Sequence, residues 1–303
     1  DHRDLHTGIH SFPTRRSSSD LRIDDPSGEG SRTFLRRFPD AARASARADD
    51  LLRSAGLPRL PLSGVPISIK DLFDVEGSVT LAGSRALAEE PPARADAPVV
   101  ARLRRAGAAI VGTTNMTEFA MGSPGTNRLH GTPRNPYDRD TGRIPGGSSS
   151  GAAVSVTDGM ALGAIGSDTA GSVRVPAALC GLAGFKPTAR RVPLDGTIPL
   201  AWSVDSIGPL AHSVGCCALL DAVIAGQDRA PSPGRTIRGL RFGLPRQLVL
   251  DDLQPPVAAA FEHALTCLSE NGALVIEFDF HELADMAASS WKSNSITRAP
   301  FSD

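Results

Sequence analysis

Gly64-Val-Pro-Ile-Ser-Ile-Lys-Asp71 is the stretch from which the rest of the chain can be read. Val65, Ile67 and Ile69 alternate with Pro66, Ser68 and Lys70, the period of two expected of a half-buried β-strand, so Lys70 points away from the apolar side. Upstream, the Ala-rich segment Ala41 to Ala55, opened by Asp40 and stopped by Gly56, predicts a helix. Downstream, Asp96 to Ala106 predicts a second capped helix ended by Gly107, and Ala109-Ile110-Val111 predicts a buried strand. This alternation is the grammar of an α/β fold. Farther on, Ala152 to Val156 is a small-residue segment and Met160 to Ile165 an apolar run. Val214 to Ala225 and Val257 to Leu268 predict helices, while Leu240 to Leu244 and Ala273 to Phe278 predict strands. No internal repeat interrupts the pattern.

With 303 residues, 41% of them hydrophobic and 21% charged, the chain can bury a sizeable core as one large domain or two small ones. The formal net charge is -1 and the basic residues are dispersed, so direct nucleic-acid binding is not expected. Cys180, Cys216, Cys217 and Cys267 have neither the density nor the spacing of a disulfide scaffold or a metal site, and reduced thiols in a cytoplasm are expected. No apolar run reaches the length of a membrane span, so no membrane partner is expected. Residues 1–21, rich in His, Arg and Ser and without periodicity, read as a non-native or disordered tail, leaving 22–303 as the folded domain. His2 and His6 lie in that tail, and neither a metal nor a cofactor is assigned.

Three segments place polar groups among small residues where a plain core would have none: Gly64 to Asp71, Pro145 to Gly151 and Gly166 to Arg174. Pro145-Gly-Gly-Ser-Ser-Ser-Gly151 invites a phosphate-loop reading, but Ala152 and Ala153 follow instead of Lys and Ser or Thr. What remains is a run of glycines and hydroxyls opening a helix, where free backbone N–H groups gather. In Ser167-Asp-Thr-Ala-Gly-Ser172, Ala170 and Gly171 keep side-chain bulk away from successive N–H groups that could form an oxyanion hole, with Ser172 as a hydroxyl nucleophile. No His lies in any of the three segments, and His130 and His212 sit in turn-like or cap-like contexts. Lys70 can serve as the base only if burial brings its pKa from about 10.4 to near 7, at a cost of about 4 kcal/mol.

These three segments, with Thr114-Asn-Met-Thr-Glu-Phe-Ala120, Cys180-Gly-Leu-Ala-Gly-Phe-Lys-Pro-Thr188 and Ser206-Ile-Gly-Pro209, resemble the amidase-signature family in content, order and spacing from about Pro39 to Phe280. The resemblance implies an α/β fold, a mixed central β-sheet covered by helices, and a small-molecule amide substrate. It implies Lys70 as base, Ser148 as a bridging serine after a cis peptide bond, and Ser172 as nucleophile. The N–H groups of Thr169, Ala170, Gly171 and Ser172 would hold the oxyanion, with Ser149, Asp168 and Arg174 supporting the site. Ala170 and Ser150 stand where the family often has Gly. Thr114 to Gly122 also resembles the glutaminase component of a tRNA-dependent amidotransferase, although Ser123 to Gly131 and Ala189 to Gly196 resemble stand-alone amidases more closely. Against the family, the domain is expected to be C-terminally incomplete, which leaves an inactive fragment as a further reading; a homodimer is compatible with the sequence.

Overall fold

The structure, a computed structural model, describes residues 19–227, 234, 236–245 and 250–278. In chain order, the α-helices and strands from residue 30 to residue 227 are α1 (Gly30–Thr33), β1 (Phe34–Arg37), α2 (Pro39–Ser54), β2 (Pro66–Lys70), α3 (Pro98–Arg105), β3 (Ala109–Thr114), α4 (Ser150–Thr157), β4 (Gly163–Asp168), α5 (Arg174–Leu179), β5 (Ala183–Gly184), β6 (Ser206–Ala211) and α6 (Val214–Ala225), with a 3-10 turn at Glu118–Ala120. The strands form one sheet in the order β1-β3-β2-β4-β6-β5. β2 is parallel to both β3 and β4, whereas β1 and β6 run antiparallel to their neighbours β3 and β4. This is the expected mixed α/β sheet.

Alternation along the strands sorts the core into two faces. Ile67, Ile69, Ile110, Ile165 and Ile207 pack with Val99, Val100 and Leu103 of α3 and Leu220 and Ile224 of α6. On the other face, Ala164 and Leu210 pack under Ala152, Ala153 and Val156 of α4, and Ala109 and Val111 pack under Ala42 of α2. β2 is therefore buried at all five positions, which corrects the half-buried strand that its alternation predicts. Central strands covered by helices on both sides lose their solvent face. Lys70 does turn from the isoleucine face as expected, but onto a second interior face where Ser68 Oγ meets Ser155 Oγ at 2.8 Å.

Local signals explain the element ends. Ser213 caps α6 by accepting the Cys216 N–H, and Gly226, with φ 75°, closes it in the left-handed conformation that glycine adopts without steric cost. Asp96 does not cap α3 as expected; its carboxylate pairs with Arg104 at 2.8 Å and accepts the Glu76 N–H. The expected tail boundary also shifts, because Ser19 is buried and Asp20 reaches Arg43 at 3.1 Å, while residues 1–18, with His2 and His6, lie outside the described residues.

A second compact unit comprises Ser232–Asp303, the first being Asp1–Pro231. Its described elements are β7 (Arg241–Pro245), α7 (Pro255–Glu270) and β8 (Leu274–Phe278), with β7 and β8 paired in parallel. These match the strands and helix expected near Leu240, Val257 and Ala273. No helix among the described residues is long and apolar enough to cross a membrane.

Helix α4 lies close enough to its neighbours that small residues are required. A Cβ at Gly151 would stand 2.6 Å from Thr33 O and 2.8 Å from both N and O of Asn115, all backbone atoms. Gly151→Ala should cost about 1–3 kcal/mol, by the usual penalty for overpacking, and lower the thermal midpoint by several degrees. An unchanged midpoint would contradict this close approach.

Candidate active site

Because β2, β3 and β4 are mutually parallel, their carboxyl ends, Lys70, Thr114 and Asp168, emerge at one edge of the sheet. β6 starts at the same edge, with Ser206 opposite Asp168. In open α/β sheets this edge is where ligand sites form, since the connecting loops gather there.

Lys70 is the largest fully buried side chain at this edge. Its Nζ donates to Ser148 Oγ at 2.7 Å and to Ser167 Oγ at 2.9 Å. No carboxylate makes a salt bridge to it among the described residues. Burial pushes its pKa down to about 7, and the charges of Asp168 and Asp205 limit the fall. The next residue, Asp71, accepts the Gly83 N–H at 3.1 Å, and burial raises its carboxyl to about 6 despite that hydrogen bond.

The seat of Ser148 is built by backbone contacts. The Gly147–Ser148 peptide bond is cis. Gly147 N donates to Ser123 O at 2.6 Å, and Ser148 O accepts the Thr117 N–H at 3.0 Å. A Cβ at Gly147 would fall 2.5 Å from the Cα of Gly125, so only glycine fits. Ser149 N donates to Ser172 O at 3.2 Å, tying the bridging-serine segment to the segment of the candidate nucleophile. No hydrogen bond joins Ser148 to Ser172 directly among the described residues.

Asp168 organises the loop that follows β4. Its Oδ1 accepts the Gly171 N–H at 2.7 Å and Arg174 Nη2 at 2.9 Å. Its Oδ2 accepts from Val173 N, Arg174 N and Arg174 Nε at 3.1, 3.3 and 3.0 Å. Burial alone would raise the Asp168 carboxyl, but the hydrogen bonds from Arg174, Val173 and Gly171 together hold it below its ordinary value. Gly171 has φ 125°, a conformation closed to most side chains. Ala170 is not among the residues with positive φ, so its methyl is accommodated without backbone strain. Ser150 begins α4, where its hydroxyl reaches Asn115 O at 3.5 Å.

Lys70, Ser148, Ser149, Asp168, Ser172 and Arg174 thus converge at one sheet edge. Of the four amides expected to hold an oxyanion, that of Gly171 donates to Asp168, whereas those of Thr169, Ala170 and Ser172 have no internal acceptor among the described residues. Ser167, as second acceptor of Lys70, and Asp205, which accepts from Thr169 Oγ1, do not stand out in the sequence. Parallel pairing of β2 with β4 is the signal that could have brought Ser167 beside Lys70. His212 Nε2 lies 3.1 Å from Val156 O, outside this cluster. The four cysteines are free thiols.

A lysine with a folded pKa of about 7 has lost a proton that the unfolded chain keeps up to about pH 10. Above pH 7 the unfolded state therefore binds more protons, and the Lys70 contribution to stability rises with pH. Asp71 acts in a different window: its raised carboxyl loses stability as pH climbs from about 4 towards 6. Between pH 7 and pH 9, urea unfolding should show the chain gaining about 2 kcal/mol relative to Lys70→Met. A flat difference over that interval would show that Lys70 keeps its ordinary affinity for protons.

Residues 29–299 match the protein family described as Amidase. The A subunit of glutamyl-tRNA(Gln) amidotransferase from Chloroflexus aggregans is 44% identical over 259 residues, spanning 81% of this chain and 52% of that protein. The 2-amino-5-chloromuconic acid deaminase of Comamonas testosteroni is 44% identical over 240 residues, spanning 78% of this chain and 52% of its own length. The chain spans about half the length of these curated relatives. Among solved structures, the peptide amidase of Stenotrophomonas maltophilia superposes with a TM-score of 0.76 at 36% identity, over 91% of this chain and 60% of that one. With the family match covering most of its length and a solved peptide amidase superposing over 91% of it, the chain belongs to the amidase family.

Proposed function

We propose that the site cleaves a carboxylic amide through a serine acyl-enzyme, with Ser172 as nucleophile, Ser148 as relay and Lys70 as base. The observation that carries this reading is the buried Lys70 Nζ, 2.7 Å from Ser148 Oγ and with a pKa of about 7. At that pKa a substantial fraction is neutral at pH 7, so a lone pair is present to take a proton.

In the forward step, Ser172 Oγ attacks the amide carbonyl carbon while its proton passes to Ser148, whose own proton passes to Lys70. The Ser148–Ser172 link forms as substrate arrives, as catalytic hydrogen bonds commonly tighten only in the substrate complex. The negative charge on the carbonyl oxygen is met by the unpaired amides of Thr169, Ala170 and Ser172. Lys70 then returns its proton through Ser148 to the nitrogen, the C–N bond breaks, and ammonia or an amine leaves. Water attacks the remaining ester by the same relay, releasing the carboxylic acid and regenerating Ser172. Asp168 and Arg174 hold the loop in this arrangement, and Ser149 ties it to Ser148. No metal or cofactor enters these steps.

A second reading keeps the chemistry and changes its destination. The 44% identity with the amidotransferase component favours ammonia release from glutamine for use by partner subunits. The deaminase, equally identical, and the peptide amidase structure favour a stand-alone amidase acting on a small amide. Ammonia release from glutamine, compared with release from benzamide and a peptide amide, separates the two readings.

Ser172→Ala should lower amide hydrolysis by at least about 10³-fold, by the usual loss when a serine nucleophile is removed, with the circular dichroism spectrum unchanged. Retention of hydrolysis in that variant would sink the assignment of the nucleophile.

A further inference from the structure

Asp205 stands immediately before β6, opposite the residue that follows β4. The antiparallel register pairs Asp168 with Ser206, which carries Thr169 and Asp205 one step farther along the same ladder. Only 7% of Asp205 is exposed. Its Oδ2 accepts the N–H groups of Leu200 and Ala201 at 2.9 and 3.0 Å, closing the 200–205 turn. Its Oδ1 accepts the hydroxyl of Thr169, whose amide is one of the three unpaired N–H groups at the site.

We propose that Asp205 is a positioning residue of the acyl-transfer site, clasping Thr169 to the 200–205 turn and placing a negative charge at the sheet edge from which Lys70 emerges, with β4 between them. The inference rests on the reading of Lys70 as base. An oxyanion donor at a loop end must be held in place before charge develops, or the reaction spends energy ordering it. Thr169 has no such support within its own loop, since Asp168 serves Gly171, Val173 and Arg174. Asp205 supplies it from the neighbouring strand.

The charge has a separate consequence. The charged groups acting on Lys70 are Asp168, which Arg174 neutralises in a bidentate pair, and Asp205, which has no cationic partner among the described residues. Asp71, next in the chain, directs its carboxylate to the Gly83 amide. Both Asp168 and Asp205 stabilise the protonated lysine, and Asp205 can lose its charge while the Asp168 hydrogen bonds to Gly171, Val173 and Arg174 in the loop that bears Ser172 remain. Replacing it with a neutral isostere weakens the hold on the proton, so Lys70 becomes a base at lower pH.

The test is the rate of Ser172 labelling by a fluorophosphonate probe as a function of pH, on the full chain and on Asp205→Asn, Thr169→Val and Lys70→Ala. The unsubstituted chain should show a rate rising through a midpoint near 7. Asp205→Asn should move that midpoint down by about half a pH unit or more, as expected for removal of a nearby charge, and lower the plateau about tenfold through loss of an ordered donor. Thr169→Val, which breaks the clasp but keeps the carboxylate, should lower the plateau and leave the midpoint in place. This variant also serves if Asp205→Asn does not fold, because an unchanged plateau in Thr169→Val overturns the clasp by itself. A midpoint unmoved in Asp205→Asn overturns the proposal, even with a lower plateau, since loop repacking alone would give that result. Lys70→Ala distinguishes the two levels: labelling at the unsubstituted rate overturns the relay itself, whereas lost labelling beside an unmoved Asp205→Asn midpoint overturns only the role of Asp205.

Discussion

The hydrogen bond from buried Lys70 to Ser148 is the constraint around which the edge of the sheet is arranged. A lysine with no accessible surface cannot keep an ordinary proton affinity unless a carboxylate pairs with it, because the charged form loses its hydration. Here the two acceptors on Nζ are neutral serine hydroxyls, and Asp168, the carboxylate whose charge bears most on Lys70, is committed to Arg174 and three backbone amides. Dehydration is left to dominate, and it delivers a pKa of about 7. The cost of burying the lysine is therefore what makes the proposed base available near neutral pH.

Several features that look unrelated follow from holding that geometry. Ser148 must meet Nζ from the start of α4, and glycine at positions 147 and 151 lets this segment approach Gly125, Thr33 and Asn115 at backbone contact distance. Thr117, on the loop after β3, fixes the Ser148 carbonyl, while Ser149 fixes that of Ser172. Three parallel strands thus deliver one anchor each: Lys70 from β2, the 115–117 loop from β3 and the 168–174 loop from β4. The isoleucine face under α3 and α6 contributes the packing that makes the strands rigid, and the opposite face under α4 carries the polar groups. One sheet separates stability from chemistry by the parity of its residues.

Much of this is legible in the sequence, and the missing parts have physical reasons. The α2, α3, α6 and α7 helices and the strands β2, β3, β7 and β8 announce themselves by apolar periodicity and local propensity, which for β2, β3, α3 and α6 agrees with burial and for α7, β7 and β8 stands on its own, since those elements are largely unburied. β1, Phe34-Leu-Arg-Arg37, carries two arginines and is held by pairing with β3, so its pattern is tertiary in origin. β6, Ser206 to Ala211, contains Gly208 and Pro209 and is buried throughout, which hides any alternation. The proposed triad is legible as residue types in motifs, whereas the contacts of Ser167 with Lys70 and of Asp205 with Thr169 are not, since they depend on which strands are neighbours. The loss of the Gly171 amide to Asp168 likewise follows from a turn geometry that the run Asp-Thr-Ala-Gly does not specify.

The central claim, that burial makes Lys70 a neutral base near pH 7, is tested most directly by following the Lys70 side chain itself. The chain labelled with ¹³C at lysine Cε, in which Lys186 and Lys292 are the other lysines, can be titrated by NMR, with the Lys70 signal assigned by its loss in Lys70→Met. Lys70 should titrate with a midpoint near 7. A Lys70 midpoint near the ordinary value of about 10.4 would contradict the account, because a fully protonated lysine cannot accept the proton that the relay delivers.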